Sequence, residues 1–70
     1  MKFNVMDHTG HSTIEFTEDQ RVEAQAKFDE LLAEGKIAGT RRMGETDYQK
    51  VKSFSELQDE TTFTPARQGG

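Results

Sequence analysis

Residues 17–34 combine a helical spacing of apolar side chains with recognisable ends, and this segment limits the possible fold more than any other. Its apolar positions are spaced i, i+4, i+7 and i+8, which places them on one face of a helix. They are Ala24, Phe28, Leu31 and Leu32. A single amphipathic helix must bury that face against another layer, so the rest of the chain has to supply a sheet.

Both ends of this helix are marked in the sequence. Thr17 and Gln20 have the spacing of a capping box, in which the first side chain caps the helix and the fourth returns to the backbone of the first. Gly35 follows the last apolar turn, where a left-handed backbone commonly ends a helix. The pattern predicts a helix that begins at Thr17 and ends at about Glu34.

The two segments before the helix, residues 2–7 and 12–17, alternate between apolar and polar side chains as strands do. The connection at residues 8–11 contains Gly10, which accepts a positive φ without steric cost. The pattern predicts a β-hairpin with one apolar face turned to the helix. The side chains of that face are Phe3, Val5, Ile14 and Phe16.

Two further strands are predicted after the helix, a weak one at residues 36–43 and a clearer one at residues 48–54. In the second, Val51 and Phe54 fall on opposite faces of an ideal strand. Both can point into a core only if a bulge or the end of the strand lies near Ser53.

The last predicted strand covers residues 60–64 and follows a turn at residues 55–59. Thr61 and Phe63 share one face of it. Pro65 cannot donate a ladder hydrogen bond, so we expect it at the end of a strand or on a sheet edge. The order of a hairpin, a helix and more strands predicts an α+β two-layer sandwich, a mixed sheet with one helix packed on one face.

Composition excludes several classes of function. The chain has 70 residues, no cysteine and a formal net charge of −4, so it has neither disulfides nor the clustered basic residues that bind nucleic acid. No apolar run reaches the length of a membrane span. No apolar signal region follows Lys2, so we expect a cytoplasmic protein without a membrane partner. We predict one domain at residues 1–65 and a flexible tail at residues 66–70.

The predicted tail ends in Gly69 and Gly70 and contains no apolar side chain larger than that of Ala66. Glycine leaves the backbone thin and costly to order. A terminal carboxylate on such a tail can enter a narrow channel and reach a nucleotide or a nucleophile, where a side chain would block the approach.

Four short segments near the end of the chain resemble the small sulfur carriers of molybdopterin and thiamine synthesis and, more widely, the ubiquitin-like proteins. They are Val51-Lys52-Ser53-Phe54, Asp59-Glu60, Phe63-Thr64-Pro65 and Gly69-Gly70. The resemblance covers about the last third of the chain. It implies a β-grasp (ubiquitin-like) fold, in which the first and last strands lie side by side and parallel at the centre of the sheet.

The resemblance also implies a function. An ATP-dependent activating enzyme would adenylate the Gly70 carboxylate for sulfur transfer or for protein conjugation, and Gly69 would lie beside it in the channel. Arg67, Gln68 and Phe63 are the predicted partner contacts. Arg67-Gln68 stands where sulfur carriers often have small or apolar residues, so the choice between sulfur transfer and conjugation stays open.

Two other classes of function compete with this one. The chain can be a small binding module that engages a partner through a face or edge of its sheet, with incidental terminal glycines. It can also be a minor enzyme subunit or a metal-binding protein that uses His8 and His11. A structural zinc site needs four ligands, so we predict no metal site at this pair. We also predict that the chain is not an enzyme and holds no cofactor, because its hydroxyls lack a neighbouring base and its glycines do not form a phosphate-binding loop.

Overall fold

The computed structural model describes residues 1–7 and 9–66, in which one helix packs against one face of a five-stranded mixed sheet. The strands are β1 (Lys2–Asp7), β2 (Gly10–Glu15), β3 (Lys36–Arg41), β4 (Gln49–Val51) and β5 (Glu60–Pro65), and the helix is α1 (Arg21–Ala33). The strand order is β2-β1-β5-β3-β4. The predicted α+β class is confirmed, and the arrangement is compatible with the predicted β-grasp.

The first and last strands pair in parallel at the centre of the sheet, as predicted. Lys2 lies opposite Glu60, and Val5 lies opposite Phe63. β5 pairs antiparallel with β3 on its other side, where Pro65 lies opposite Lys36. Pro65 therefore stands at the end of the central strand, one of the two positions predicted for it.

The hairpin turn is tighter than predicted, which moves the second strand two residues earlier, to Gly10–Glu15. Asp7 pairs with Gly10, so two residues separate the strands instead of four. Two features favour the short turn. The Asp7 carboxylate accepts a hydrogen bond from the amide of Thr9 at 2.8 Å, and Gly10 enters β2 with a φ of 138°.

The helical segment begins in the predicted place but with a different winding. Glu18–Gln20 form a single 3-10 turn, and the α-helix starts only at Arg21. The amide of Thr17 donates to Oε1 of Gln20 at 2.9 Å, so the side chain of Gln20 returns to the start of the helix as a capping box requires. At the other end, Gly35 has a φ of 92° and stops the helix as predicted.

The core is organised around aromatic rings. Phe63 lies between Phe3 and Phe28, at centroid distances of 4.9 and 5.8 Å. Phe16 extends this row at Phe3, and Phe54 extends it at Phe28. All four contacting pairs of rings meet edge to face or nearly so, the geometry that the charge distribution of an aromatic ring favours.

One detail of the predicted helix face needs correction. Leu31 is fully buried, whereas Leu32 is only partly buried at the edge of the core. Val22, the large apolar residue in the first turn of α1, is 80% exposed and lies outside the buried face. The buried face of the α-helix therefore passes through Ala24, Phe28 and Leu31.

The region around Val51 follows the predicted break. β4 ends at Val51, whose side chain is buried, and Phe54 opens a separate 3-10 turn, Phe54–Glu56. Because the strand ends before Ser53, both apolar side chains reach the core. β4 is shorter than the predicted strand at residues 48–54, since the backbone must leave the sheet to place Phe54 against Phe28.

Candidate functional site: the central strand and the outer face of the sheet

Most of the predicted site lies outside the described residues. This applies to Arg67, Gln68, Gly69 and Gly70, and also to His8. The described chain ends at Ala66, directly after β5, so the predicted division into residues 1–65 and a tail at residues 66–70 stays a prediction.

Phe63, which was predicted to contact a partner, is a core residue. Its side chain is fully buried between the rings of Phe3 and Phe28. The reason is positional: β5 is the central strand, and the inward face of Phe63 lies beneath the helix. Phe63 therefore fixes the strand from which the tail departs and does not offer a surface to another molecule.

A buried hydroxyl cluster holds the start of β5. Thr40 on β3 and Thr61 on β5 are both fully buried, and their hydroxyl oxygens lie 3.1 Å apart. The hydroxyl of Thr40 donates to the carbonyl oxygen of Glu60 at 3.1 Å and accepts from the amide of Gln58 at 2.8 Å. These bonds satisfy backbone groups of the loop that leads into the strand, which would otherwise be costly to bury.

On the other face of the sheet, the face away from α1, polar side chains form a row across four strands. Glu60 on β5 is its centre. One carboxylate oxygen accepts from Nδ2 of Asn4 on β1 at 2.6 Å, and the other accepts from Nε and Nη2 of Arg41 on β3 at 3.1 and 2.9 Å. Thr13 on β2 continues the row with a 3.1 Å hydrogen bond to Oδ1 of Asn4.

This environment favours the ionised form of Glu60. The hydrogen bond from Asn4, and after it those from Arg41, lower the pKa of Glu60 below its ordinary value. The same pairing raises the pKa of Arg41. The Glu60 carboxylate therefore joins the central strand to β3 through an ion pair with Arg41 and to β1 through the hydrogen bond from Asn4.

Arg41 also joins this row to β4. Its guanidinium carbon lies 4.7 Å from the centre of the Tyr48 ring, a distance typical of a cation–π contact. Its Nη1 donates to the carbonyl oxygen of Glu45 at 2.9 Å. The Tyr48 ring is thereby held over the outer face, where it remains partly exposed.

A shallow apolar groove lies beside Tyr48. We call it the outer-face groove, with a volume of about 300 Å³ and a floor formed by Gly39. Its lining residues are Ile37, Ala38, Gly39, Tyr48, Lys50, Thr62 and Thr64. A Cβ atom added to Gly39 would meet Cβ of Tyr48 at 3.3 Å, so glycine at this position lets the aromatic residue approach the strand closely.

The described part of the chain offers no metal centre. Within residues 1–7 and 9–66, no group of three or more His, Asp or Glu residues is placed to hold a metal ion. His11 is exposed on β2. None of the described helices is both long enough and apolar enough to cross a membrane.

Sequence reasoning missed both the polar row and the outer-face groove. Asn4, Arg41 and Glu60 are far apart in the chain, and they come together only because β5 pairs with β1 on one side and with β3 on the other. One signal was available: Gly39 in the middle of a strand often marks a close approach by another group. The alternation of Thr62 and Thr64 with buried residues also indicated a second, solvent-facing surface.

Comparisons with protein-family models, curated proteins and solved structures gave no match for this chain. The functional argument therefore depends on the residues and geometry described above.

Proposed function

We propose that the chain is a β-grasp carrier whose Gly70 carboxylate is activated and transferred. The strand order β2-β1-β5-β3-β4, with a parallel central pair and one helix, is compatible with that fold. The observation that carries the proposal is that the strand leading to Gly69-Gly70 is the central strand, fixed on both sides and ended by Pro65. The proposal requires that Gly70 be the terminal residue of the mature protein.

The attachment of β5 suits a carrier. An activating enzyme must pull a thin tail into its channel without unfolding the domain that bears it. Phe63, Thr61 and Glu60 anchor the strand through the core, the buried hydroxyl cluster and the polar row. The domain can therefore stay folded while the partner enzyme binds the Gly70 end of the chain.

The proposed chemistry takes place at Gly70 and needs a partner enzyme. An oxygen of the Gly70 carboxylate attacks the α-phosphorus of ATP, and pyrophosphate leaves. A thiolate, a hydrosulfide ion or an amine then attacks the acyl carbon of the adenylate, and AMP leaves. The first two nucleophiles give a thioester or a thiocarboxylate, and the amine gives an isopeptide bond.

The test is to incubate the intact protein with a lysate of its native cell, with and without ATP, and to analyse it by mass spectrometry. We expect an ATP-dependent adenylate, thiocarboxylate or isopeptide at Gly70. A mass spectrum of untreated protein isolated from the cell shows whether Gly70 is the terminal residue. The chemical nature of the product in the treated sample distinguishes sulfur transfer from conjugation.

The matched control is a chain that lacks Gly69 and Gly70. Neither glycine has a side chain that could be buried, so its melting temperature should equal that of the intact chain while the product disappears. Gly70→Ala should fold normally and react poorly, because a methyl group crowds the channel. If the intact and truncated chains give the same spectrum, the carrier function is wrong.

A further inference from the structure

The distribution of exposed apolar side chains on the sheet points to a second use of the molecule. Three of the large apolar side chains that are exposed, Met6, Ile37 and Tyr48, belong to the outer face or its rim. The helix covers the opposite face, so nothing in the described chain covers these residues. Tyr48 and Ile37 lie at the outer-face groove, which is mostly apolar.

Charge is distributed unevenly between the helix layer and the rest of the molecule. Residues 18–34 hold six acidic and two basic residues, a net charge of −4 that equals the charge of the whole chain. The helical layer is therefore acidic, and the remainder of the molecule is electrically balanced. An acidic partner is repelled from the helix layer and can approach the sheet more easily, over the distance of about 8–10 Å at which salt screens charge.

Within the outer-face groove, Lys50 is the only charged lining residue. It is exposed and makes no ion pair with any of the described residues. The carboxylate of Glu60 on the same face is already occupied by Arg41 and Asn4. The groove therefore presents an uncompensated ammonium group beside an apolar depression.

From this we infer that the outer-face groove binds an acidic segment of another protein that carries one large aliphatic side chain. The aliphatic side chain enters the depression above Gly39 and packs against the Tyr48 ring, with the methyl groups of Thr62 and Thr64 opposite. A carboxylate one or two positions away pairs with Lys50. The interaction does not involve Gly70, so it can be measured whether or not the proposed transfer takes place.

The experiment uses the full chain and three synthetic peptides. The first is acetyl-Gly-Asp-Glu-Leu-Asp-Glu-Gly-amide, the second replaces its leucine by serine, and the third replaces its acidic residues by lysine. Titration of the ¹⁵N-labelled protein should give saturable shifts for the first peptide at the amides of Gly39, Lys50 and Thr62. The serine peptide should bind at least about tenfold more weakly, because it lacks the aliphatic side chain that fills the groove. The lysine peptide should also bind at least about tenfold more weakly, because Lys50 repels its charges.

A pair of charge reversals provides the matched control. Lys50→Glu removes the attraction and adds repulsion, so affinity for the first peptide should fall about 3- to 10-fold. Lys52→Glu makes the same change of net charge at an exposed lysine that does not line the groove and should change affinity less than twofold. Both positions are exposed, so both variants should fold.

Four results would overturn the inference. The first is equal weakening of peptide binding by the two charge reversals, which would mean a general charge effect. The second is a serine peptide that binds as well as the leucine peptide. The third is that none of the three peptides binds saturably. The fourth is a concentration-dependent dimer in sedimentation that Lys50→Glu abolishes, which would assign the groove to a second copy of this chain.

Discussion

The two faces of the sheet are built from the same strands but are stabilised by different interactions. The inner face carries Phe3, Val5 and Phe63 beneath the helix, where shape and burial dominate. The outer face carries the polar row through Asn4, Glu60 and Arg41, which is held by directional hydrogen bonds. The central strand is therefore held in two ways that are sensitive to different substitutions. Its packing on the inner face is weakened by a smaller side chain, and its hydrogen bonding on the outer face is weakened by the loss of a charge.

The largest effect should come from the inner face. Phe63→Ala removes the ring at the middle of the aromatic row and should lower the free energy of unfolding by about 3–5 kcal/mol. Marginally stable domains have only about 5–15 kcal/mol in total, so the variant should be partly or wholly unfolded at room temperature. Urea denaturation followed by circular dichroism measures the change.

Val22→Ala is the matched control, because the side chain of Val22 is 80% exposed. It should change stability by less than about 0.5 kcal/mol. If both variants lose similar amounts, the assignment of the buried helix face and of the core is wrong.

An intermediate effect should come from the buried hydroxyl cluster. Thr40→Val keeps the shape of the side chain but leaves the Gln58 amide and the Glu60 carbonyl without their partner. We expect a loss of about 1–3 kcal/mol in urea denaturation. Thr64→Val, on the exposed side of β5, should be close to neutral. Equal effects would show that the Thr40 hydroxyl does not support the loop.

The smallest effect should come from the outer face, and it should depend on pH. Glu60 has a lowered pKa in the folded protein, so its contribution to stability is present above its ordinary pKa of 4.5 and is lost as the pH falls through the lower folded value. Glu60→Gln should therefore be less stable than the parent near neutral pH. The difference should shrink below about pH 4.5, as measured by thermal denaturation across a pH series.

Glu15→Gln gives the effect of the same substitution at an exposed position on β2. Its difference from the parent near neutral pH should be small. If the stability difference between Glu60→Gln and the parent does not change with pH, the ionised Glu60 side chain is not stabilised by the polar row.

Local patterns predicted most of the fold because short-range chemistry determines the parts concerned. The helix ends are set by local features, the hydrogen bond between Thr17 and Gln20 and the positive φ of Gly35. The end of a strand near Ser53 followed from geometry alone, because Val51 and Phe54 lie on opposite faces of an ideal strand. The predicted start of the second strand was wrong by two residues, because the hydrogen bond of the Asp7 side chain favours a shorter turn than the expected one. The choice of Leu31 over Leu32 depends on how the helix sits on the sheet, which no local pattern contains.

The candidate site was less predictable for the same reason. The polar row and the outer-face groove arise from strands that are distant in the chain, and their residues have no shared spacing. Arg41 and Tyr48 were placed only within predicted strands, with no role assigned to either side chain. Phe63 was assigned to a partner, whereas its central position makes it part of the core.

The parallel pairing of β1 with β5 also governs how the molecule reaches its native state. Asn4 and Glu60 are 56 positions apart, so the contact that joins them closes a loop of almost the entire described chain. Closing such a loop costs entropy before any contact repays it, and proteins dominated by distant pairings fold slowly. On the ribosome, β1, β2 and α1 emerge without their central neighbour. The aromatic row stays incomplete, and its apolar surface stays open to chaperones, until residues 60–65 have been made.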